Sequence, residues 1–270
     1  MIIGYQGETH SYSYRAARAL FPDAELKGHP SFVRAFRSLR ESAVSFLVLP
    51  IANSTTGPIL PVLDRLVSAD ASIKAEHVIH VRHALLGVPG ATLDDAKSVR
   101  SHPVALGQAE ALLEERGWEA VATSDTAGAV REVAEHQDPS ELALADPAAG
   151  EAFGLEVLME DAIDQDHNTT RFVVLEPGKH HVREHDNKTS IAFETPHTPG
   201  ALAMALTELG LRGANLTMIE SRPGGKLWRY MYYVDFLHEP GPPGLAKILD
   251  PTPMALSNIH MLGSYPAVVE

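Results

Sequence analysis

The feature that most limits the fold is a polar break two thirds of the way along the chain. From Glu176 to Asn187 it reads Glu-Pro-Gly-Lys-His-His-Val-Arg-Glu-His-Asp-Asn, twelve residues in which Val182 is the only clearly apolar one. A stretch like this, with Pro-Gly near its start, supplies no core-facing stripe and reads as a linker. Before it, short apolar runs alternate with helical patterns, the signature of α/β units. Ile2 to Tyr5, Ser45 to Pro50, His77 to Leu86, Ala120 to Thr123, Leu142 to Ala145 and Arg171 to Leu175 read as strands, and Val99 heads another. Ser11 to Leu20, Phe32 to Leu39, Ile59 to Leu66, Ala105 to Arg116 and Thr126 to His136 read as helices. After the break the order changes. Thr189 to Thr195, Asn215 to Glu220, Leu227 to Phe236 and Ile259 to Gly263 are expected strands, and Gly200 to Leu211 and Gly244 to Leu249 are expected helices. Arg222-Pro223-Gly224-Gly225 is a turn by composition, so the order is βαββαβ, the ferredoxin-like arrangement.

Charge and composition narrow the function classes. With 22 Lys and Arg against 35 Asp and Glu, the formal charge is −13, which opposes a nucleic-acid surface. The absence of cysteine excludes disulfides, thiolate metal sites and cysteine nucleophiles. No run approaches the roughly 20 apolar residues of a membrane span, and Met1-Ile2-Ile3-Gly4-Tyr5-Gln6 carries no signal-peptide pattern. The expectation is a cytoplasmic protein without nucleic-acid or membrane partners.

Five places set small hydroxyl, amide and glycine residues directly after an expected strand: Gln6 to Ser13, Asn53-Ser54-Thr55-Thr56-Gly57, Ser101-His102, Thr123-Ser124-Asp125-Thr126 and Asn168-Thr169-Thr170. Singly, each is most simply a helix cap. Together they suggest a polar cleft for a small anion, because strand ends and helix N-termini gather there in open α/β sheets. Gly4-x-x-Gly7 lacks the spacing and lysine of a phosphate loop, and no Gly-x-Ser-x-Gly elbow is present. His77, His80 and His83 fall in an expected strand, which divides them between two faces, and His180, His181 and His185 fall in the linker. No metal site is expected.

At these residues the chain resembles the prephenate dehydratases along nearly its whole length. Tyr5-Gln6-Gly7 with Tyr12-Ser13, Pro50-Ile51-Ala52-Asn53-Ser54, Ser101-His102-Pro103 with Gln108, and Asn168-Thr169-Thr170-Arg171-Phe172 are similar to that family's blocks, and Gly154-Leu155 is also familiar. Gly200-Ala201-Leu202, Glu220-Ser221-Arg222-Pro223 and Leu262-Gly263-Ser264-Tyr265-Pro266 resemble its appended ACT domain, a phenylalanine sensor. Two departures touch the expected cleft: Ala52 stands where the family usually has Glu, and His10-Ser11 where many members carry Gly-Ala or Gly-Thr.

The resemblance implies an α/β catalytic domain over 1–177 with two lobes like those of periplasmic binding proteins. Lobe one is about 1–75 plus 160–177, and lobe two about 76–159. An ACT domain follows over 187–270. It also implies decarboxylating dehydration of prephenate to phenylpyruvate, without a cofactor or metal. Thr170 is the expected catalytic hydroxyl, and Asn53, Ser54, Thr55, Ser101, Gln108 and Arg171 are candidate substrate contacts. Period two along a strand sends Arg171 to the face opposite Thr170, either structural or reaching substrate from the strand end. Phenylalanine is the expected effector near Gly200, Ala201, Leu202, Asn215 and Leu216, with Glu220, Ser221, Arg222 and Pro223 nearby, in a dimer or tetramer assembled through the ACT domain. An ordinary surface ion pair between Glu220 and Arg222 is the plainer alternative. Arogenate dehydratase and a non-catalytic two-lobed sensor are the rival readings. No helical mutase segment precedes Met1, so a monofunctional enzyme is expected.

Overall fold

The computed structural model describes residues 1–163, 168–179, 181–225 and 227–268. The chain opens with β1 (Ile2–Gln6), α1 (Tyr12–Leu20), β2 (Glu25–His29), α2 (Phe32–Arg40), β3 (Phe46–Asn53), β4 (Gly57–Pro58), α3 (Leu60–Leu66) and β5 (Ala71–His80). A second group follows: β6 (Ala84–Gly87), β7 (Ser98–Ser101), α4 (Pro103–Gln108), α5 (Glu110–Arg116), β8 (Glu119–Ala122), α6 (Thr126–His136), β9 (Glu141–Ala145), α7 (Pro147–Ala152) and β10 (Glu156–Met159). β11 (Thr169–Pro177) returns to the first group. The chain ends with β12 (Lys188–Glu194), α8 (Ala201–Leu211), β13 (Asn215–Pro223), β14 (Tyr230–Leu237), α9 (Gly241–Leu249) and β15 (Ser257–Tyr265).

Two sheets result. One has the order β10-β6-β9-β7-β8. The other is ten-stranded, β13-β14-β12-β15-β5-β11-β3-β1-β2 with β4 on β3, and runs through both the first group and the C-terminal unit. β1 and β3 are the near-continuous apolar runs expected of parallel strands covered on both faces. β11 inserts antiparallel between β3 and β5. Pro50 lies inside β3, where a proline cannot donate to a ladder. The pairing shifts there: Phe172 faces Pro50 and Arg171 faces Ala52, leaving Ile51 as the extra residue of a bulge.

The C-terminal unit has the βαββαβ order, and its sheet order β13-β14-β12-β15 is the ferredoxin-like one. It is joined to the rest at β15, whose Gly263 pairs in parallel with Ile73 of β5. A Cβ at residue 263 would overlap the Ile73 carbonyl, so only glycine permits that approach. One apolar cluster crosses the seam, with Leu47, Leu49, Leu63, Ile73 and Val173 packed with Ala192, Tyr233, Leu262 and Tyr265. Ile191, Phe193, Leu209, Val234, Phe236 and Ile248 form a separate core under α8 and α9.

Three local expectations change. The apolar run 77–86 is not one strand. β5 stops at His80, Val81 N–H donates to Asn168 O at 2.7 Å, and β6 begins at Ala84, because the chain crosses here from the ten-stranded sheet to the five-stranded one. The single helix expected over 105–116 is two, broken at Ala109 (φ −116°, ψ 17°), which leaves Gln108 at a helix end. The linker is tied down more than its polarity suggests. β11 runs to Pro177, and Asp186 is buried, accepting from Arg183 N–H at 2.8 Å while the Arg183 guanidinium reaches Lys74 O at 2.9 Å. His181 and His185 are exposed, and His180 lies outside the described residues. Among the described residues no helix is long and apolar enough to cross a membrane, and no cluster of three metal-ligating side chains occurs.

Candidate active site

Of the five polar spots, some act as caps. Ser11 accepts from Tyr14 N–H, Asp125 from Gly128 N–H, and His102 Nδ1 from Val104 N–H. The Asn53 and Asn168 spots instead converge. Thr170 pairs across the ladder with Asn53 on β3 and Ile79 on β5, so Thr170 and Asn53 present side chains on one face. Asn53 Nδ2 donates to Thr170 Oγ1 at 3.0 Å, to Thr169 O at 3.1 Å and to Asn168 Oδ1 at 2.6 Å. Asn53 Oδ1 accepts from Thr55 N–H at 3.0 Å and Thr56 N–H at 3.1 Å, a side-chain turn that fixes the amide's orientation. From the end of α4, Gln108 Nε2 donates to Thr55 Oγ1 at 2.6 Å and Gln108 Oε1 accepts from Asn168 Nδ2 at 3.0 Å. Ser54 Oγ accepts from Thr169 N–H at 2.9 Å.

The donor assignment has a chemical consequence. Two backbone N–H groups point at Asn53 Oδ1, so its NH2 faces Thr170. Thr170 Oγ1 is therefore an acceptor in that contact, and its own O–H meets no acceptor among the described residues. Thr170 is 9% exposed. Tyr12 on α1 bonds the Arg82 carbonyl, Arg15 pairs with Asp146, and His10 meets Phe153 edge-on at 5.8 Å, so these contacts tie the N-terminal turn and α1 to the segments beyond β5.

Two candidate contacts lie elsewhere. Ser101 is fully buried on β7, and its hydroxyl donates to Leu144 O at 2.6 Å. Arg171 takes the opposite face of β11 and meets Glu76 and Asp235. Ala52 pairs with Arg171, so it shares that far face and packs against the cluster that crosses the seam. A carboxylate at 52 would point away from Thr170, contrary to the expectation that the Ala52 departure touches the cleft. Asn168 is the ring member that the candidate contacts omit; its place at the head of Asn168-Thr169-Thr170 was the available signal.

In the C-terminal unit, Gly200 (φ 78°) caps α8, and Gly200, Ala201 and Leu202 line a cavity of about 420 Å³ with Thr195 to Pro199 and Tyr232. Leu202 also borders a shallow cavity of about 390 Å³ with Glu220, Ser221 and Tyr230. Asn215 and Leu216 follow the other end of α8, roughly 15 Å away along an eleven-residue helix. Arg222 is not paired with Glu220. It makes a two-point bond to Asp64 on α3, at 2.8 and 2.9 Å, which holds its pKa above the ordinary range.

The family pattern described as prephenate dehydratase matches residues 3–180. The chain is 34% identical over 279 residues to arogenate dehydratase/prephenate dehydratase 2, chloroplastic, of Arabidopsis thaliana, covering 98% of this chain and 72% of that protein. It is 33% identical over 275 residues to the bifunctional N-acyl-homoserine lactone acylase/prephenate dehydratase of Komagataeibacter europaeus, covering 98% and 96%. The crystal structure of a prephenate dehydratase from Arthrobacter aurescens in complex with L-Phe aligns with a TM-score of 0.83 and 27% identity, over 100% of this chain and 93% of that one. With the convergent Thr170, Asn53, Asn168 and Gln108 inside the matched region, the chain belongs to the prephenate dehydratase family.

Proposed function

We propose that this chain removes water and carbon dioxide together from prephenate, giving phenylpyruvate for L-phenylalanine synthesis, and that phenylalanine regulates it through residues 187–270. Losing both groups makes the ring aromatic, so the drive belongs to the substrate. The protein must hold two carboxylates, align the ring and assist departure of hydroxide. The bond from Asn53 Nδ2 to Thr170 Oγ1 supports this reading most directly, because it leaves the Thr170 proton to be donated. An alcohol is too weak an acid to lose that proton freely, so Thr170 donates a hydrogen bond to the leaving oxygen or relays a proton to it. Asn53 keeps its bond to Thr170 and turns its other N–H to the substrate's oxygens, and Ser54, Thr55, Gln108 and Asn168 add further neutral dipoles set in place beforehand. Ser101 and Arg171 support the walls of the site.

The division we propose is a catalytic part over 1–177, with lobes at 1–75 plus 160–177 and at 76–159, and an ACT unit over 187–270. Phenylalanine sits against the N-terminus of α8 at Gly200 to Leu202, near Glu220 and Ser221. β13 is the free edge of the ten-stranded sheet, and Ile219, Trp228 and Tyr230 are exposed on or beside it. Antiparallel pairing of that edge with a second copy sets the Asn215 end of one β13 beside the Pro223 end of the other, which gives Asn215 and Leu216 a way to the effector.

Phenylpyruvate formation by the purified chain tests the reaction, and a parallel assay on arogenate decides between the two substrates named for the Arabidopsis relative. Thr170→Ala is expected to lose roughly 10²-fold or more in turnover. Turnover close to the parent's in a folded preparation would overturn the role of Thr170. Phenylalanine that changes neither activity, oligomer size nor melting temperature would overturn the regulatory part.

A further inference from the structure

The guanidinium of Arg171 reaches three other strands at once. Nε donates to Glu76 Oε2 on β5 at 2.6 Å, Nη1 to Asp235 on β14, and Nη2 to the Tyr265 hydroxyl on β15 at 2.7 Å. Each partner is itself held. Lys188 on β12 donates to both oxygens of Glu76 at 2.9 and 3.1 Å, and Val268 N–H adds a third bond at 2.8 Å. Ser190 Oγ donates to Asp235 Oδ1 at 2.5 Å and lies 2.6 Å from the Tyr265 hydroxyl. Two cations and two anions balance. The arginine side chain is 14% exposed and the two acids 2%.

Stability is a weak reason for such a cluster, since apolar packing of equal volume often serves as well once desolvation is included. What it does fix is position. Thr170 and Arg171 are consecutive on an extended strand, so their side chains leave opposite faces of one short piece of backbone. Shifting the guanidinium turns the peptide plane that carries the Thr170 side chain. On the β3 side the ladder is interrupted at this point by the bulge at Ile51, so β3 restrains residues 171 and 172 less than a regular ladder would.

We propose that Arg171 is a positioning residue for the reaction, clamped by Glu76, Asp235 and Tyr265 so that Thr170 presents its hydroxyl at a fixed place. The C-terminal unit is then part of the catalytic apparatus as well as a sensor. This rests on the dehydratase reading of the same site. It also gives that reading a regulatory route, because movement of β14 or β15 pulls on the arginine beside Thr170.

The test uses the full chain with Tyr265→Phe, which removes one hydroxyl, and Asp235→Asn, which keeps the shape and removes one charge. Both are expected to lower kcat about tenfold with KM within about twofold of the parent, as a displaced donor would. Both are also expected to shift the NMR signals of the Thr170 amide and the Asn53 side-chain NH2. A purely structural role would lower the melting temperature and leave kcat per folded molecule and those signals unchanged; that result overturns the proposal. Should the parent itself make no phenylpyruvate, the dehydratase reading falls, and the NMR signals alone still decide whether the clamp sets Thr170.

Discussion

The two faces of β11 handle buried polar groups in opposite ways. On the cleft face, Thr170, Asn53, Asn168, Thr55 and Gln108 are uncharged and bonded to one another. On the far face, Arg171, Glu76, Lys188 and Asp235 carry full charges in a closed cluster. A neutral hydrogen bond contributes only about 1 kcal/mol net, so an amide ring can trade its bonds for those of a ligand at small cost. Charges taken out of water cannot be uncovered so cheaply. The face that has to open is therefore built from dipoles, and the face that has to stay shut from ions. Burial works against the charge on Arg171, but Tyr265, Asp235 and Glu76 outweigh it and hold its pKa above the ordinary range. For Glu76, burial pushes the pKa up, yet Arg171 and Lys188 bring it below the usual carboxylate range.

The largest effect that could break this contrast is Arg171→Met. It leaves Asp235 without its cation and Glu76 with Lys188 as its remaining cation, and denaturant unfolding should show a loss of about 3–5 kcal/mol. A loss below about 1 kcal/mol would mean that the far face is not a closed ionic cluster. Next comes pH. Burial drives the His83 pKa from its ordinary 6.5 down to about 4, and its ring packs edge-on to Tyr12 where the chain crosses between the two sheets. The folded pKa is the lower one, so this contribution is complete above pH 6.5. It is lost as pH falls towards 4, by about 3 kcal/mol, because the unfolded chain takes up the proton first. Glu76, also lowered, adds its loss only below its unfolded pKa of about 4.5. Melting curves from pH 7 to 4 should steepen in this window, and His83→Asn should flatten them.

Asn53→Asp sharpens the cleft side. It replaces the donor facing Thr170 with an acceptor, so the Thr170 proton turns inward and turnover should fall about 10²-fold. Unaltered steady-state kinetics would mean that the orientation of the Asn53 amide does not matter. The smallest effect is that of Arg222→Ala. Its bond to Asp64 is surface-exposed, so unfolding should change by about 0–1 kcal/mol.

Sequence reading reached the elements whose burial pattern is local. β1 and β3 showed as apolar runs, and the βαββαβ order showed through its turn residues. β2, Glu-Leu-Lys-Gly-His, gave no signal, because an edge strand needs no apolar alternation. The run 77–86 misled because Val78, Ile79 and Val81 on one side and Leu85 and Leu86 on the other give strand character to both sides of the passage from one sheet to the other. Thr170, Asn53 and Gln108 were found through motifs and strand-end chemistry. The clamp on Arg171 was not, since Glu76, Asp235 and Tyr265 lie 95, 64 and 94 residues away along the chain and nothing local marks them as partners.

Gly263 against Ile73 has a practical outcome for anyone recombining relatives of this protein. Where one β-sheet and one oily interior belong to both halves, the halves are not interchangeable cassettes. A chimera that grafts a foreign C-terminal unit after residue 187 has to bring along its own matching glycine, aspartate and tyrosine, or the shared sheet loses its close approach at Ile73 and Arg171 loses two of its partners.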